Sequence, residues 1–536
     1  MKVNKIAYSN IGIFSEFIQD YLNENKSLKS IVTSFPNVDS LLYQAKLKSK
    51  QFSNNQRSIL SSVLIRQYGN VLKSKIINKN LNSISDQNTL TITTGHQLSL
   101  MTGPLYFIYK IVSVIKLCKQ LNSKEGKYHF VPLFWMASED HDFEEIKSFF
   151  FNNKKIIWPN EKSTGAVGKF KLDNLSCFRL FIEEELDSSE SGKQINKIIE
   201  ETYLSSNTLS EATFKLVHRL FSDYGLLILD ADSKDFKESM IPFFIKEVFE
   251  NECKNQVDYQ NNELKKNYKK NYKPQVNPRD INMFYHVSGI RNKIIKSDSE
   301  FIIENSKISF TYEQITDEIR NYPERFSPNV LTRPLYQETI LPNIAYIGGA
   351  VEISYWLQLK LLFDSQKTLF PIIIVRDSAL LISKKASLII KKMKIDYYDL
   401  FLTKEKFIEN KVKEISDVNL DLQFLKKSLA DQFKYFEDIV SKTDSSFVGA
   451  VKAQKAKQYK GIDQLEKRLL KAQKRKLREQ VVKLEKIYNE LFPNNILQER
   501  NDNFFDHFFN NSYNFIPDLL NSFDPLGKEF TLLEFE

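Results

Sequence analysis

Residues Thr89 to Leu121 read TLTITTGHQLSLMTGPLYFIYKIVSVIKLCKQL. The β-branched run TLTITTG predicts a strand ending on Gly95, and the apolar periodicity of PLYFIYKIVSVIKLCKQL predicts a helix after a short loop. Pro104 suits the first turn of that helix, where a missing N–H costs nothing. A second unit of the same kind follows: FVPLFWMA, from Phe130, reads as a buried strand that stops abruptly at the polar run Ser138 to Asp142. YGLLILD (Tyr224 to Asp230) and FPIIIVRDS (Phe370 to Ser378) are further strand candidates, with helices expected over 241–250 and 352–363. Strands alternating with helices imply an α/β fold with a largely parallel sheet. In such sheets the ligand crevice lies at the carboxyl ends of the strands, so the two polar loops should meet in one site.

Outward from this centre, residues 1–85 carry the spacing of amphipathic helices, as in Phe14, Phe17, Ile18, Tyr21 and Leu22. The basic tract KKNYKKNYKP (Lys265 to Pro274) reads as a mobile loop. Beyond about residue 405 the pattern becomes long helix. Leu422, Leu425, Leu429, Phe433, Phe436 and Val440 fall three and four apart, and Leu470, Leu477, Leu484 and Leu491 fall at strict sevens, the signature of a coiled coil. The expected organisation is a catalytic core over 1–405, an antiparallel coiled-coil arm over 406–495, and a C-terminal segment over 496–536 that packs back on the core.

The chain has 536 residues, 42% apolar and 27% charged, with 15 Gly and 15 Pro. That excludes a disordered, collagen-like or many-turned all-β protein. The net charge is +9, and residues 451–486 alone hold 13 basic against 4 acidic residues, so the rest is nearly neutral. Those basic residues interleave with the leucine heptad, with only Tyr459 and Tyr488 as aromatics among them. They read as solvated coiled-coil faces, and nucleic acid is not an expected partner. Cys118, Cys177 and Cys253 form no C-x-x-C pair, which argues against a disulfide framework or thiolate metal site and for a reducing compartment. The start lacks a signal-peptide core, and no run of about 18 apolar residues occurs, so a soluble, cytoplasmic protein without membrane contact is expected.

Four polar clusters are candidates for chemistry. In the first loop Gly95, His96, Gln97, Thr102 and Gly103 precede a helix whose N-terminal amides suit an anion, although neither a P-loop nor a G-x-G-x-x-G is present. An ordinary capped turn is the plain alternative. The second loop, SEDHDFEE (Ser138 to Glu145), packs five carboxylates and one imidazole into eight residues, enough for metal ligation, base chemistry or amine binding. Asp140, His141 and Asp142 are its centre; the alternative is a helix start decorated with acids. No H-E-x-x-H occurs, so no metal site is assigned. Arg279 and His286 lie in QVNPRDINMFYH (275–286). The stretch Phe326 to Trp356 adds Arg333, Glu338, the pair Gly348-Gly349 that lets backbone approach a ligand, Glu352 and Tyr355. A tight turn and a buried ion pair would account for the same residues.

Taken together, TTGHQLSLMTGPLYFIYK, VPLFWMASEDHDFEEI, GAVGKF (Gly165 to Phe170), QVNPR, FSPNVLTRPLYQETILPNIAYIGGAVEISYWLQLK and LQER (Leu497 to Arg500) resemble, in order, the bacillithiol biosynthesis cysteine-adding enzymes, a cysteine ligase family. One position departs: His96 stands where that family is expected to carry Gln. The resemblance implies a Rossmann-like core similar to class I synthetases and nucleotidylyltransferases, with connecting insertions and a coiled-coil domain that makes a homodimer. It implies the joining of L-cysteine to the amine of glucosaminyl-malate, the last step of bacillithiol synthesis, with ATP and Mg²⁺ as the inferred activating cosubstrate. In that reading Gly95, His96, Gln97, Thr102 and Gly103 line the nucleotide or acyl-phosphate site. Asp140, His141 and Asp142 hold the substrate ammonium or take its proton, and replacing Asp142 with Asn should abolish turnover. Arg279 and Arg333 grip the malate carboxylates, while Glu338, Gly348, Gly349, Glu352 and Tyr355 complete the pocket. Two other readings stay open on sequence: a nucleotidylyltransferase or metal-assisted hydrolase on the same core, and a non-enzymatic coiled-coil adaptor. Sequence also leaves open adenylate against phosphate activation, and a second ligand on the basic coiled-coil face.

Overall fold

The structure, a computed structural model, describes residues 1–536 apart from 70, 72, 125, 160–163, 174, 187–188, 269–271, 288, 444–445, 509–513 and 536. The chain divides into two compact units, residues 3–379 with 499–532 and residues 380–498 with 1–2 and 533–536.

The first unit is built on five parallel strands, Thr89–His96, His129–Met136, Leu227–Asp230, Asn343–Gly348 and Ile372–Val375. Numbered along the chain, their order in the sheet is 3-2-1-4-5. That is the order of dinucleotide-binding folds, and it reverses between Thr89–His96 and Asn343–Gly348. Both strands are buried almost throughout, and the helix Tyr106–Lys124 is apolar nearly all round. Such elements persist only when covered on all sides. Leu90, Ile92, Phe130, Ile344, Ile347, Ile372 and Ile374 form one core with Val114, Leu117 and Leu121 of that helix and with Leu41 and Ala45 of the helix Val38–Gln51.

Several local expectations shift. Pro104 precedes the helix rather than lying in its first turn, and its carbonyl accepts the Phe107 N–H at 3.0 Å. The strand expected to reach Ser378 stops at Val375, because Arg376 turns to a buried ion pair with Glu499 at 2.6 Å. The helix expected over 352–363 is two, Ala350–Trp356 and Lys360–Ser365. In the tract 265–274 the helix Glu252–Asn267 covers the first residues, and Tyr268 and Tyr272 both pack on Phe17. Residues 269–271 lie outside the described residues.

A second, antiparallel sheet fills the connection between the third and fourth parallel strands. Its order is Ser309–Phe310, Phe301–Ile303, Ile290–Lys296, Met283–Val287, Phe326–Pro328. The sequence pattern did not disclose it: its strands are short, and IRNKIIK carries charges among its apolar residues.

The second unit contains the helices Lys384–Lys392, Lys404–Ile415, Gln423–Val440, Phe447–Lys476 and Arg478–Leu491. Lys426 pairs with Asp463 and Lys455 with Glu437, so Gln423–Val440 and Phe447–Lys476 run antiparallel. The heptad is not one continuous seam. The helix breaks at Leu477 (φ −97°, ψ 29°), and Leu484 and Leu491 are buried while Tyr488 packs on Phe407. Residues 380–405 therefore belong with this unit, and the boundary expected at 405 falls inside it. No described helix is long and apolar enough to cross a membrane.

Candidate active site

The two polar loops meet at the carboxyl ends of the first two parallel strands, next to the point where the strand order reverses. Gly95 and His96 end one strand beside Trp135 and Met136 at the end of the next. Gln97 spans the gap, its Nε2 donating to Asp140 Oδ2 at 2.8 Å and to Glu145 Oε2 at 2.7 Å. A cleft of about 470 Å³ opens there, lined among others by His96, Gln97, Asp140, His141, Arg279, Arg291, Arg333, Glu352 and Tyr355.

The floor of the cleft is fixed by a buried lysine that sequence reasoning passed over. Lys110, on the helix Tyr106–Lys124, donates to the Gly95 carbonyl at 2.5 Å and to Glu352 Oε1 at 2.7 Å. Burial lowers the Lys110 pKa, while the lysine and its neighbours hold the Glu352 carboxyl below its usual range despite burial. Glu352 also accepts from Tyr346 at 3.1 Å and from the Gly349 N–H at 3.3 Å. A Cβ on Gly349 would meet only Arg376 Nε, 4.0 Å away, so the backbone lies open at that point. His96 is wedged between Tyr106 and Phe107, and burial, then the Lys110 charge, pushes its pKa down to about 4. A ring that stays neutral at pH 7 supplies shape rather than a proton.

GAVGKF braces the acidic loop. The Val167 N–H donates to the Asp140 carbonyl at 2.7 Å and the Gly168 N–H to the Ser138 carbonyl at 2.8 Å. A Cβ on Gly168 would lie 2.5 Å from Ser210 Oγ and 2.6 Å from Ser138 Cβ, so only glycine allows this approach. Glu139 is paired with the buried Lys237, and Ser138 Oγ donates to Asp230 at 2.5 Å.

Arg291, unremarked in the sequence, is the cleft's best-held cation. From Ile290–Lys296 it donates to Ser327 Oγ at 3.0 Å, to the Pro328 carbonyl at 3.1 Å and to His141 Nδ1 at 2.7 Å, with its guanidinium 4.1 Å from the Phe284 ring. A guanidinium only donates, so His141 Nδ1 is the acceptor in this contact. His141 lines the cleft beside Asp140. Burial alone would raise the Asp140 carboxyl, but hydrogen bonds from the His141 backbone N–H at 2.7 Å and from Gln97, with the Arg291 charge, hold it well below the usual carboxylate range. Asp140 is a permanent anion suited to an ammonium.

Arg333 opens the helix Arg333–Ile340 within 6 Å of the Trp135, Tyr346 and Trp356 rings and bonds Gln337 Oε1 at 3.0 Å. Tyr355, Tyr346 and Glu352 raise its pKa against the effect of burial, so it stays charged. Arg279 lies at the exposed rim, 5.7 Å from Phe284.

Thr102, Gly103, Asp142, Glu338, Gly348 and Gly349 are not among the residues that line the cleft. Thr102 is buried and Gly103 is held through its carbonyl by Asn503 Nδ2 at 2.7 Å, because the loop turns away from the cleft onto the C-terminal segment. Asp142 is exposed and caps the short helix Phe143–Ile146, accepting the Glu145 N–H at 3.3 Å. Glu338 is fully buried with Lys48, Gln337 and Asn343, and burial raises its pKa to about 7. Gly348 forms no part of the lining; it ends the strand beneath Glu352.

Residues 1–377 match the family described as bacillithiol biosynthesis BshC, N-terminal Rossmann-like domain, and residues 379–535 match its C-terminal coiled-coil domain. Among relatives with the provisional name cysteine ligase BshC, the one from Flavobacterium johnsoniae is 43% identical over 99% of this chain and 100% of its own. The relative from Christiangramia forsetii is 42% identical over 100% and 99%, and that from Bacillus cytotoxicus 26% over 93% and 94%. With both domains matched and the alignments running nearly end to end, the chain belongs to the bacillithiol biosynthesis BshC family.

Proposed function

We propose that this enzyme joins the carboxyl group of L-cysteine to the amine of glucosaminyl-malate with ATP as activator. The observation that supports it best is one cleft holding the anions Asp140 and Glu352 against the cations Arg291, Arg333 and Arg279, complementary to an amine-bearing dicarboxylate. Amide formation from a free carboxylate is uphill in water, so a carboxylate oxygen attacks the α-phosphorus and pyrophosphate departs. The substrate nitrogen then attacks the acyl carbon, the carbon–oxygen bond to phosphate breaks, and the proton shed by nitrogen goes to the departing AMP. Asp140 holds the ammonium, which gives one proton to solvent to become the neutral nucleophile before attack, and a donor at His141 would face the oxygen that gains charge. The open backbone at Gly349 suits a nucleotide.

A homodimer through the second unit belongs to the same proposal: Phe424, Tyr435, Phe436, Ile439, Phe447 and Leu465 leave large apolar surface exposed there. Three free, buried cysteines support a cytoplasmic setting. The test is a mass-spectrometric assay of purified protein with glucosaminyl-malate, cysteine, ATP and Mg²⁺, omitting each in turn. Product at the cysteinyl mass that disappears without ATP is expected. No product, with neither AMP nor ADP released, refutes the reading.

A further inference from the structure

The larger cavity lies at the other end of the same strands. Thr89 and His129, paired in register where their strands begin, line a cleft of about 870 Å³, about 20 Å along the strands from Gly95. Lys75 and Lys79, one turn apart on the helix Lys75–Ser83, face Lys119 on the helix Tyr106–Lys124, with Lys127 at the rim. Asp86 is the carboxylate in the lining, and among the described residues Lys75, Lys79 and Lys119 form no ion pair. Like charges one helical turn apart repel, and an anion between the helices would relieve them. The cleft is not merely basic. Ile76, Ile115, Phe130 and Pro132 give it an apolar floor, and the Tyr224 ring lies 5.1 Å from Lys119 Nζ.

We propose that this second cleft binds a small organic phosphate, its charges between Lys75, Lys79 and Lys119 and its flat apolar body against Tyr224 and the floor. Lysines act on phosphate as point charges, and an apolar floor adds affinity that a bare anion cannot use. The site is separate from the cleft at the carboxyl ends, with the helix Tyr106–Lys124 running between them.

Lysine acetylation of the full-length protein, read by mass spectrometry, tests this with three probes: ADP has charge and body, pyrophosphate charge alone, adenosine body alone. ADP should reduce the reactivity of Lys75, Lys79 and Lys119 at least fivefold, at concentrations about tenfold below those pyrophosphate needs, and adenosine should not protect. In the variant Lys79→Glu with Lys119→Glu, the ADP concentration that protects Lys75 should rise at least tenfold. Both positions are exposed, and the paired Lys→Arg variant should retain protection. Unchanged reactivity with ADP, or equal protection of Lys75 in the double Glu variant, overturns the site. Pyrophosphate protecting as well as ADP overturns the apolar subsite.

Discussion

Replacing Arg291 with Met keeps the length of the side chain and removes its charge. Two of its bonds, to Ser327 and Pro328, hold the guanidinium on the antiparallel sheet, and the third reaches His141 Nδ1. A hydrogen bond to a charged group contributes about 1.5–3 kcal/mol. Loss of the His141 contact together with a substrate carboxylate contact should cost about 3 kcal/mol in the transition state, roughly 100-fold in kcat/KM. The unpaired Pro328 carbonyl should add a further loss of about 1–3 kcal/mol in folding stability, visible as a lower Tm. Arg279→Met is the matched control, because that guanidinium is exposed, and its kcat/KM should fall less than tenfold. The assay is steady-state product formation by mass spectrometry, with unfolding followed by circular dichroism. Arg291→Met within threefold of wild type, or Arg279→Met the more damaging change, would refute the assignment of Arg291 to the substrate.

The acidic loop separates its two aspartates: Asp140→Asn should lower kcat/KM by at least 100-fold, whereas Asp142→Asn, which still caps a helix, should stay within threefold in the same assay. Lys48→Met should cost about 3–5 kcal/mol by leaving Glu338 buried without its cation, and adding Glu338→Gln should recover most of it in urea unfolding. Burial, then the Lys169 charge, depresses the His286 pKa to about 4, so the native state refuses a proton that the unfolded chain accepts near pH 6.5. That contribution is intact above pH 6.5 and lost as pH falls toward 4, roughly 2 kcal/mol after allowance for screening, and His286→Gln should flatten this part of the stability–pH curve.

Much of the centre was legible because its signals are local. TLTITTG and FVPLFWMA are strands, the two polar loops they feed share one cleft, and Gln97 is the residue that joins them. The misreadings were also local in origin. SEDHD offers adjacent aspartates with no sign that one points at Gln97 and the other at a helix N–H. Thr102 and Gly103 look like an anion loop until Asn503, 400 residues later, takes the Gly103 carbonyl.

By itself, the sequence determined the alternation of strand and helix, the antiparallel helices of the second unit and the presence of an acid-rich loop after a buried strand. Each depends on side-chain type and spacing within a few residues. Tertiary structure alone decided which charges act together. Arg291 is one cation in an unremarkable run, and Lys110 is one polar residue in an apolar helix. Chain reversal brings the first against His141 and the second against Glu352, and there the cost of burial makes each partner obligatory.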